Sequence, residues 1–289
     1  MNKKGVEISF SWMFGIIVGV ILLIFFVYFA FKQVGLFNKI GINEVVESIN
    51  NEINAFSTSG SSNKIVELPS DVVFSFRCGD VIYKNAKKDT NNLIYGDNVF
   101  RNRFNLWTKS WVFPFRIGNF YYASNLENRY FILGNENFFF NIPSKFKKFN
   151  SINEELKKDD IIIDFTNSNI YSKYRENRVL VVDKDNGIIT FYPENKRDEF
   201  FGEEMLYGGL FSNYNEYNCL KNKALRKLGL ITELYKKKAD LLKINSKCSF
   251  QYNELQKSLD LFKKDPKNYK DAIIEQNEQI KRNSCIGAF

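Results

Sequence analysis

The strongest hydrophobic pattern in the chain is a run of 22 residues without a charge, Phe10 to Phe31, FSWMFGIIVGVILLIFFVYFAF. About 20 apolar residues span the hydrocarbon core of a bilayer as a helix, so the run predicts a transmembrane helix over 10–31. It exceeds the roughly 7–15 apolar residues of a secretory signal, and Lys32 and Gln33 follow it where a small-x-small cleavage site would lie. A helix buried in a soluble core would carry a polar face, and this run has none. Beyond it, Ile42, Val46, Ile49, Ile53 and Phe56 recur at helical spacing, with Glu44, Glu47, Asn51 and Asn54 on the other side. That predicts an amphipathic stalk helix over 40–56. The Ser/Gly-rich stretch 57–63, STSGSSN, predicts a linker.

From 64 to about 195 the pattern changes to short runs rich in β-branched and aromatic residues. Strands are expected at 64–68, 72–77, 80–84, 111–117, 120–124, 130–133, 161–165, 178–182 and 187–192. RVLVVDKDNGIITFY is the best-specified element. Asp185-Asn186-Gly187 between two strands predicts a hairpin, because Asn and Gly accept positive φ. The same DKDNG fails as a calcium loop, since Gly187 stands fifth where that loop needs its Gly sixth. Ser151 and Glu154 in SINEELKK form a capping-box pattern, which predicts a short helix over 151–158.

Helical spacing returns from Tyr217. Leu220, Ala224, Leu228, Ile231, Tyr235 and Leu242 make one stripe of a long helix ending near Ile244. Leu255, Leu259 and Phe262 open a second helix. Asp265-Pro266, an N-cap followed by proline at the first helical position, starts a third helix or a kink. The expected fold class is therefore α+β: an N-terminal transmembrane helix, a mixed or antiparallel β-rich ectodomain, and a C-terminal helical hairpin or three-helix segment. The division that follows is 1–9, 10–31, 32–63, 64–216 and 217–289.

Charge sharpens this division. The chain carries 41 Lys plus Arg against 33 Asp plus Glu, a net +8. Residues 1–63 hold 4 basic and 4 acidic groups, 64–216 hold 21 and 21, and 217–289 hold 16 and 8. The whole excess lies in the C-terminal helices, with Arg226, Lys236, Lys237, Lys263 and Lys264 among its carriers. Such a face suits anionic lipid or an acidic partner, or is simply a solvated helix surface. No nucleic-acid-binding module is visible, so nucleic acid is not an expected partner. Positive residues flank the span almost evenly, and a short N-terminus before a long domain favours the N-terminus inside and the ectodomain outside. Ser11, Gly15 and Gly19 share one face of the span and offer a close-packing seam for self-association.

The four cysteines, Cys78, Cys219, Cys248 and Cys285, contain no CxxC pair. Outside the cytoplasm an even count suggests disulfides. A folded-back helical hairpin would bring Cys219 to Cys285 and leave Cys78 for Cys248. An up-down-up stack would make Cys248–Cys285 the pair instead.

Candidate chemistry is sparse. With no histidine, His-dependent triads, His bases and His-ligated metal sites are excluded, and no cofactor is expected. Ser144 and Lys147 match SxxK without the companion motifs of an acyl-enzyme family. Asp159, Asp160 and Asp164, and Glu203 with Glu204, are acidic clusters whose convergence the spacing does not establish. The aromatic stretch 106–124, from Trp107 to Tyr122, lines a groove or fills a sheet core. No Asn-x-Ser/Thr sequon occurs, so N-glycans are not expected.

Two resemblances add context. Lys3, Lys4, Gly5 and the helix after them resemble the start of archaeal prepilin-like proteins, although Glu7 follows Gly5 sooner than the Glu of that pattern. KKGVEISFSWMFGIIVG (3–19), WTKSWVFPFRIGNFYYAS (107–124), FFGEEMLYGGLFS (200–212), YNCL (217–220) and NSCIGAF (283–289) resemble an uncharacterised family of single-span membrane proteins of small-genome archaea. That resemblance implies the same architecture and no known activity. The expectation is a single-pass, membrane-anchored, extracytoplasmic structural or interaction protein without catalysis. A pilin-like filament subunit, or a ligand-binding or carboxylate-dependent enzyme ectodomain, is the alternative.

Overall fold

The computed structural model describes the chain apart from residues 1–9, 56–60, 69–71, 85, 97–98, 102, 154, 167, 169 and 245–246, and apart from the side chains of 10–14 and 30–43. The fold is mixed α+β with several sheets. It opens with α1, Phe10–Ala55, a single helix of 46 residues that takes in both the expected span and the expected stalk. Its far end is anchored as the stalk pattern predicts: Val46, Ile49 and Ile53 are buried. Lys64 and Lys88 pair with Glu52 and Glu47 along its polar edge. Its near end is bare, with Ile16, Ile17 and Val20 to Phe29 exposed. Among the described residues no helix is long and apolar enough to cross a membrane.

Residues 57–60 of the expected linker lie outside the described residues. Ser61–Asn63 do not continue it but begin β1, Ser61–Glu67, whose polar residues pair with β6, Arg103–Val112. β1, β6, β7 (Arg116–Asn125) and β5 (Leu93–Gly96) form a four-stranded sheet in the order β1-β6-β7-β5, with only β5–β7 parallel. β2 (Ser75–Arg77), β3 (Asp80–Tyr83) and β4 (Ala86–Lys88) make a small meander against α1. The third sheet runs β13-β12-β11-β10-β8-β9, from β8 (Arg129–Leu133), β9 (Lys147–Phe149), β10 (Ile161–Asp164), β11 (Arg178–Asp183), β12 (Ile188–Tyr192) and β13 (Lys196–Glu199). Its four strands β11-β10-β8-β9 are parallel, and β12 and β13 are antiparallel.

Several expectations need correction. WVFPFRI is not one strand, because the chain turns at 113–115 between β6 and β7. Glu154 of the capping-box pattern lies outside the described residues of 151–158, among which no helix forms. Their backbone groups go to tertiary partners instead: Arg129 donates to the Glu155 carbonyl, the Lys157 N–H donates to Asp160, and Asn177 donates to the Lys157 carbonyl. The DKDNG hairpin is present, with Asp183 opposite Ile188, Gly187 at φ 63° and Asn186 hydrogen-bonded to Asp183.

Two helices interrupt the β region without a periodic signal: α2, Glu136–Asn141, and α3, Glu203–Phe211. From Met205 to Phe211 every residue of α3 is buried. It is wedged between the four-stranded and six-stranded sheets. The gap is narrow: a Cβ on Gly208 would come within 2.6 Å of the Tyr95 ring, and one on Gly209 within 2.5 Å of the Ile189 methyl. Tyr122 donates to the Glu204 carbonyl and Arg178 to the Leu210 carbonyl, which holds both ends. Three amphipathic helices complete the chain, α4 (Tyr214–Lys243), α5 (Ser249–Lys264) and α6 (Pro266–Arg282). α5 packs between α4 and α6, the three-helix alternative rather than the simple hairpin.

Because an aromatic ring cannot retreat as a methyl can, Gly208→Ala is expected to cost about 2–3 kcal/mol and Gly209→Ala about 1 kcal/mol or less. Denaturant unfolding of the full chain in detergent checks the order. Equal costs at the two positions would show that α3 is not gripped by Tyr95.

Candidate functional site

A cleft of about 610 Å³ opens at the amino-terminal ends of the parallel strands of the six-stranded sheet. Loops before β8, β10 and β11 supply Glu127, Lys157, Lys158, Asp159 and Glu176, Arg178 opens β11, and Glu194 follows β12. Its two buried polar groups are committed. Asp160 forms an ion pair with Arg129, whose Nε lies 2.8 Å from its Oδ1, and the Asn177 amide donates to the Lys157 and Asp160 carbonyls. What remains is a rim of exposed lysines and carboxylates able to hold a charged solute, with no nucleophile beside a base. An adjoining pocket of about 330 Å³ shares Asn177 and Pro193 and is lined by Tyr171, Tyr174, Arg175 and Tyr192. Tyr171 and Tyr192 stack with ring centroids 4.1 Å apart. The sequence reading missed this aromatic pocket; the one signal for it is Tyr171, Tyr174 and Arg175 recurring within five residues.

The acidic clusters do not converge. Asp164 ends β10 and accepts from the Thr166 N–H and the Thr166 and Ser168 hydroxyls, which closes a turn. Asp159 lies on the cleft rim. Glu203 approaches Lys109 at 3.7 Å and Asn141 at 3.3 Å, on another sheet. Beside it Glu204 is held above the ordinary carboxyl range by burial. Among the described residues no three His, Cys, Asp or Glu side chains gather as a metal site would require. Ser144 lies in the turn before β9, and Lys147 faces Glu127 at 3.2 Å, so SxxK builds no nucleophile–base pair. Trp107, Trp111, Phe113, Phe115, Phe120, Tyr121 and Tyr122 are all buried and form core, not a groove.

All four cysteines are bonded, as Cys78–Cys219 and Cys248–Cys285. The Cys219–Cys285 and Cys78–Cys248 pairing is overturned: α5 and α6 run antiparallel beside each other, so Cys248 at the head of α5 meets Cys285 just past α6, the outcome of the up-down-up stack. Cys78 and Gly79 form the β2–β3 hairpin turn, both at positive φ. The turn is clasped to α4 beyond the disulfide itself. Glu216 accepts from the Gly79 N–H at 3.2 Å, and Asp80 lies between Lys87 at 2.8 Å and Lys223 at 3.3 Å. Burial raises the Glu216 carboxyl above its ordinary value, opposed by the Cys78 and Gly79 N–H groups and by Lys223.

Of the basic-surface candidates, Lys236 pairs with Asp260 and Lys263 with Glu233, each bridging α4 and α5. Arg226, Lys237 and Lys264 are exposed. Gly15 and Gly19 face open space, where an added Cβ would meet nothing within 4 Å; the side chain of Ser11 lies outside the described residues. No family model, curated protein or solved structure matches the chain.

Closing loops of 141 and 37 residues stabilises by about 5 and about 4 kcal/mol on the chain-entropy relation. Replacing Cys78 and Cys219 by Ser is therefore expected to lower the unfolding midpoint more than replacing Cys248 and Cys285. Peptide mapping under non-reducing conditions should return those two pairs and no other. The raised Glu216 carboxyl binds its proton more tightly folded than unfolded. Its contribution is present below the ordinary glutamate pKa and is lost as pH rises through the raised value. Glu216→Gln should thus leave stability nearly unchanged near pH 4 and raise it relative to wild type near pH 7. Thermal midpoints across that window decide it, and a constant difference would remove Glu216 from the pH response.

Proposed function

We propose that the chain is a single-pass, membrane-anchored, extracytoplasmic structural or interaction protein that works without catalysis. The observation that carries this reading is the two-sided character of α1. At Val46, Ile49 and Ile53 it is packed into the body, and from Ile16 to Phe29 it carries apolar side chains that the described residues leave exposed. Exposed apolar area of that extent is costly in water and at rest in hydrocarbon. The uncharged sequence from Phe10 to Phe31 has the length for a crossing. Two disulfides support an oxidising compartment for the body, hence the N-terminus inside and the body outside. Gly15 and Gly19 offer the span a seam for self-association.

A pilin-like filament subunit is the second reading. It is favoured by the continuity of α1 from Phe10 to Ala55 and its packing against β3 and β4; the six-stranded mixed sheet is more than that reading needs.

Full-length protein in native membranes is expected to resist alkaline carbonate extraction. Its thiols should become maleimide-reactive only after reduction, and protease added from outside should reach the body. Release by carbonate would end the anchor reading. Free labelling of all four thiols would end the outside orientation. A mature N-terminus at Val6 by mass spectrometry would shift the assignment to the filament subunit.

A further inference from the structure

The free end of the C-terminal helices, where α4 turns into α5 and α6 ends, exposes large apolar side chains that the body does not cover. Ile244, Phe250 and Ile286 are 66, 70 and 69% exposed. They lie four residues before Cys248, two after it, and one after Cys285, so the disulfide gathers all three at one end. The end is held firmly: Tyr252 donates to the Ile286 carbonyl at 2.7 Å, and Asn277 holds the backbone of Ala288 and Phe289. The apolar surface also continues back along α4. Leu230, Leu234 and Leu241 recur with Lys237 and Ile244 at steps of four, three, four and three residues, so they share one face, and the three leucines are 73, 60 and 70% exposed.

The charges around this surface have one sign to spare. Acids around it are taken: Asp240 by Lys243 at 3.6 Å, Glu278 by Lys281 at 2.9 Å, and Glu254, which shares a pocket with Phe250, by Lys257 at 2.7 Å. Lys247 and Arg282 at the end, and Lys237 within the leucine stripe, are exposed and form no ion pair among the described residues. A second copy seated on the stripe by a twofold axis through Lys237 would bring the two lysines together, while the flanking acids Glu233 and Asp240 are already held by Lys263 and Lys243. An anionic lipid surface meets both features, since apolar side chains enter the acyl boundary while flanking cations remain among the headgroups.

We propose that the disulfide-closed end of α4–α6, led by Ile244, Phe250 and Ile286 and flanked by Lys247 and Arg282, is a peripheral docking site for an anionic bilayer. It is a second lipid contact, separate from the N-terminal span. The Cys248–Cys285 bond keeps its apolar residues together.

The test uses full-length protein reconstituted in vesicles of phosphatidylcholine alone or mixed with phosphatidylglycerol. Amide exchange is followed over 239–252 and 283–288, with carbonate extraction run in parallel. Exchange over both segments is expected to slow in the anionic vesicles. Each unpaired cation near such a surface strengthens association about five-fold, so Lys247→Gln with Arg282→Gln should weaken the effect by about 25-fold. Phe250→Ser with Ile244→Ser should abolish it while non-reducing peptide mapping still finds Cys248–Cys285. Equal exchange in the two lipids overturns the proposal. Protection that follows protein density at fixed lipid composition also overturns it and assigns the surface to a second copy. Protection that comes only on adding an acidic polypeptide overturns it in favour of a protein partner. Carbonate resistance with equal exchange would leave the span standing and remove only this site. Carbonate release with anionic protection would do the reverse.

Discussion

The arrangement of the body depends on the gap between two sheets that α3 occupies. A helix with side chains on every face holds its neighbours at the 8–10 Å typical of close-packed elements only where small residues meet large ones. Gly208 and Gly209 supply that on two successive positions, one against the Tyr95 ring of β5 and the other against Ile189 of β12. Tyr95 also packs on Phe120 and Tyr217, so the ring that limits α3 also braces β7 and the first turn of α4. The Tyr217 hydroxyl donates to the Glu199 carbonyl at the end of β13, which connects α4 to the far edge of the six-stranded sheet. One buried helix therefore positions both sheets and the start of the C-terminal helices.

A second set of ties links the N-terminal helix to that body. α1 rests on the β2–β4 meander, and the meander is fastened to α4 through Cys78–Cys219, Glu216 and the Asp80–Lys223 pair. The disulfide carries the long-range constraint, and the polar contacts set the angle at which the hairpin turn meets the helix. A junction of this kind fixes the attitude of the body relative to α1.

Local chemistry made some elements legible and tertiary packing hid the rest. The β11–β12 hairpin needs only Asn186, Gly187 and alternating neighbours, and α4 to α6 keep their periodicity because each buries one face. α3 has no polar face to mark its period, and its paired glycines read as a loop. β13, KRDE, is a charged edge strand, a composition that guards an edge and carries no strand signal. SINEELKK carries a valid capping box, but Ile152 and Leu156 pack on the outer face of the six-stranded sheet, and Arg129, Asp160 and Asn177 take the backbone groups a helix would have used. The cysteine pairing turned on whether the helices fold back as a hairpin or stack up-down-up, a fact of packing that spacing leaves open. The acidic clusters of the candidate site were visible as composition, while their separate partners were not.

The basic excess of the C-terminal helices changes meaning once these partners are known. Lys221 is held by Asp198 with little solvent contact, Lys223 by Asp80, and Lys236 and Lys263 bridge α4 to α5. The exposed bridges are screened by solvent and mainly fix helix register, so those lysines belong to the architecture. Lys227 lies half-buried against Gly118, its amine pulled below the ordinary range by desolvation, and it packs through its stem more than it projects a charge. The field the helices present to a partner therefore comes from the cations that remain: Arg226 and Lys237 on α4, Lys264 at the α5–α6 turn, and Lys247 and Arg282 at the disulfide-closed end. Screening at physiological ionic strength confines that field to about 8 Å, so a surface must come within contact distance to feel it. At that distance the apolar side chains beside those cations act together with the charge.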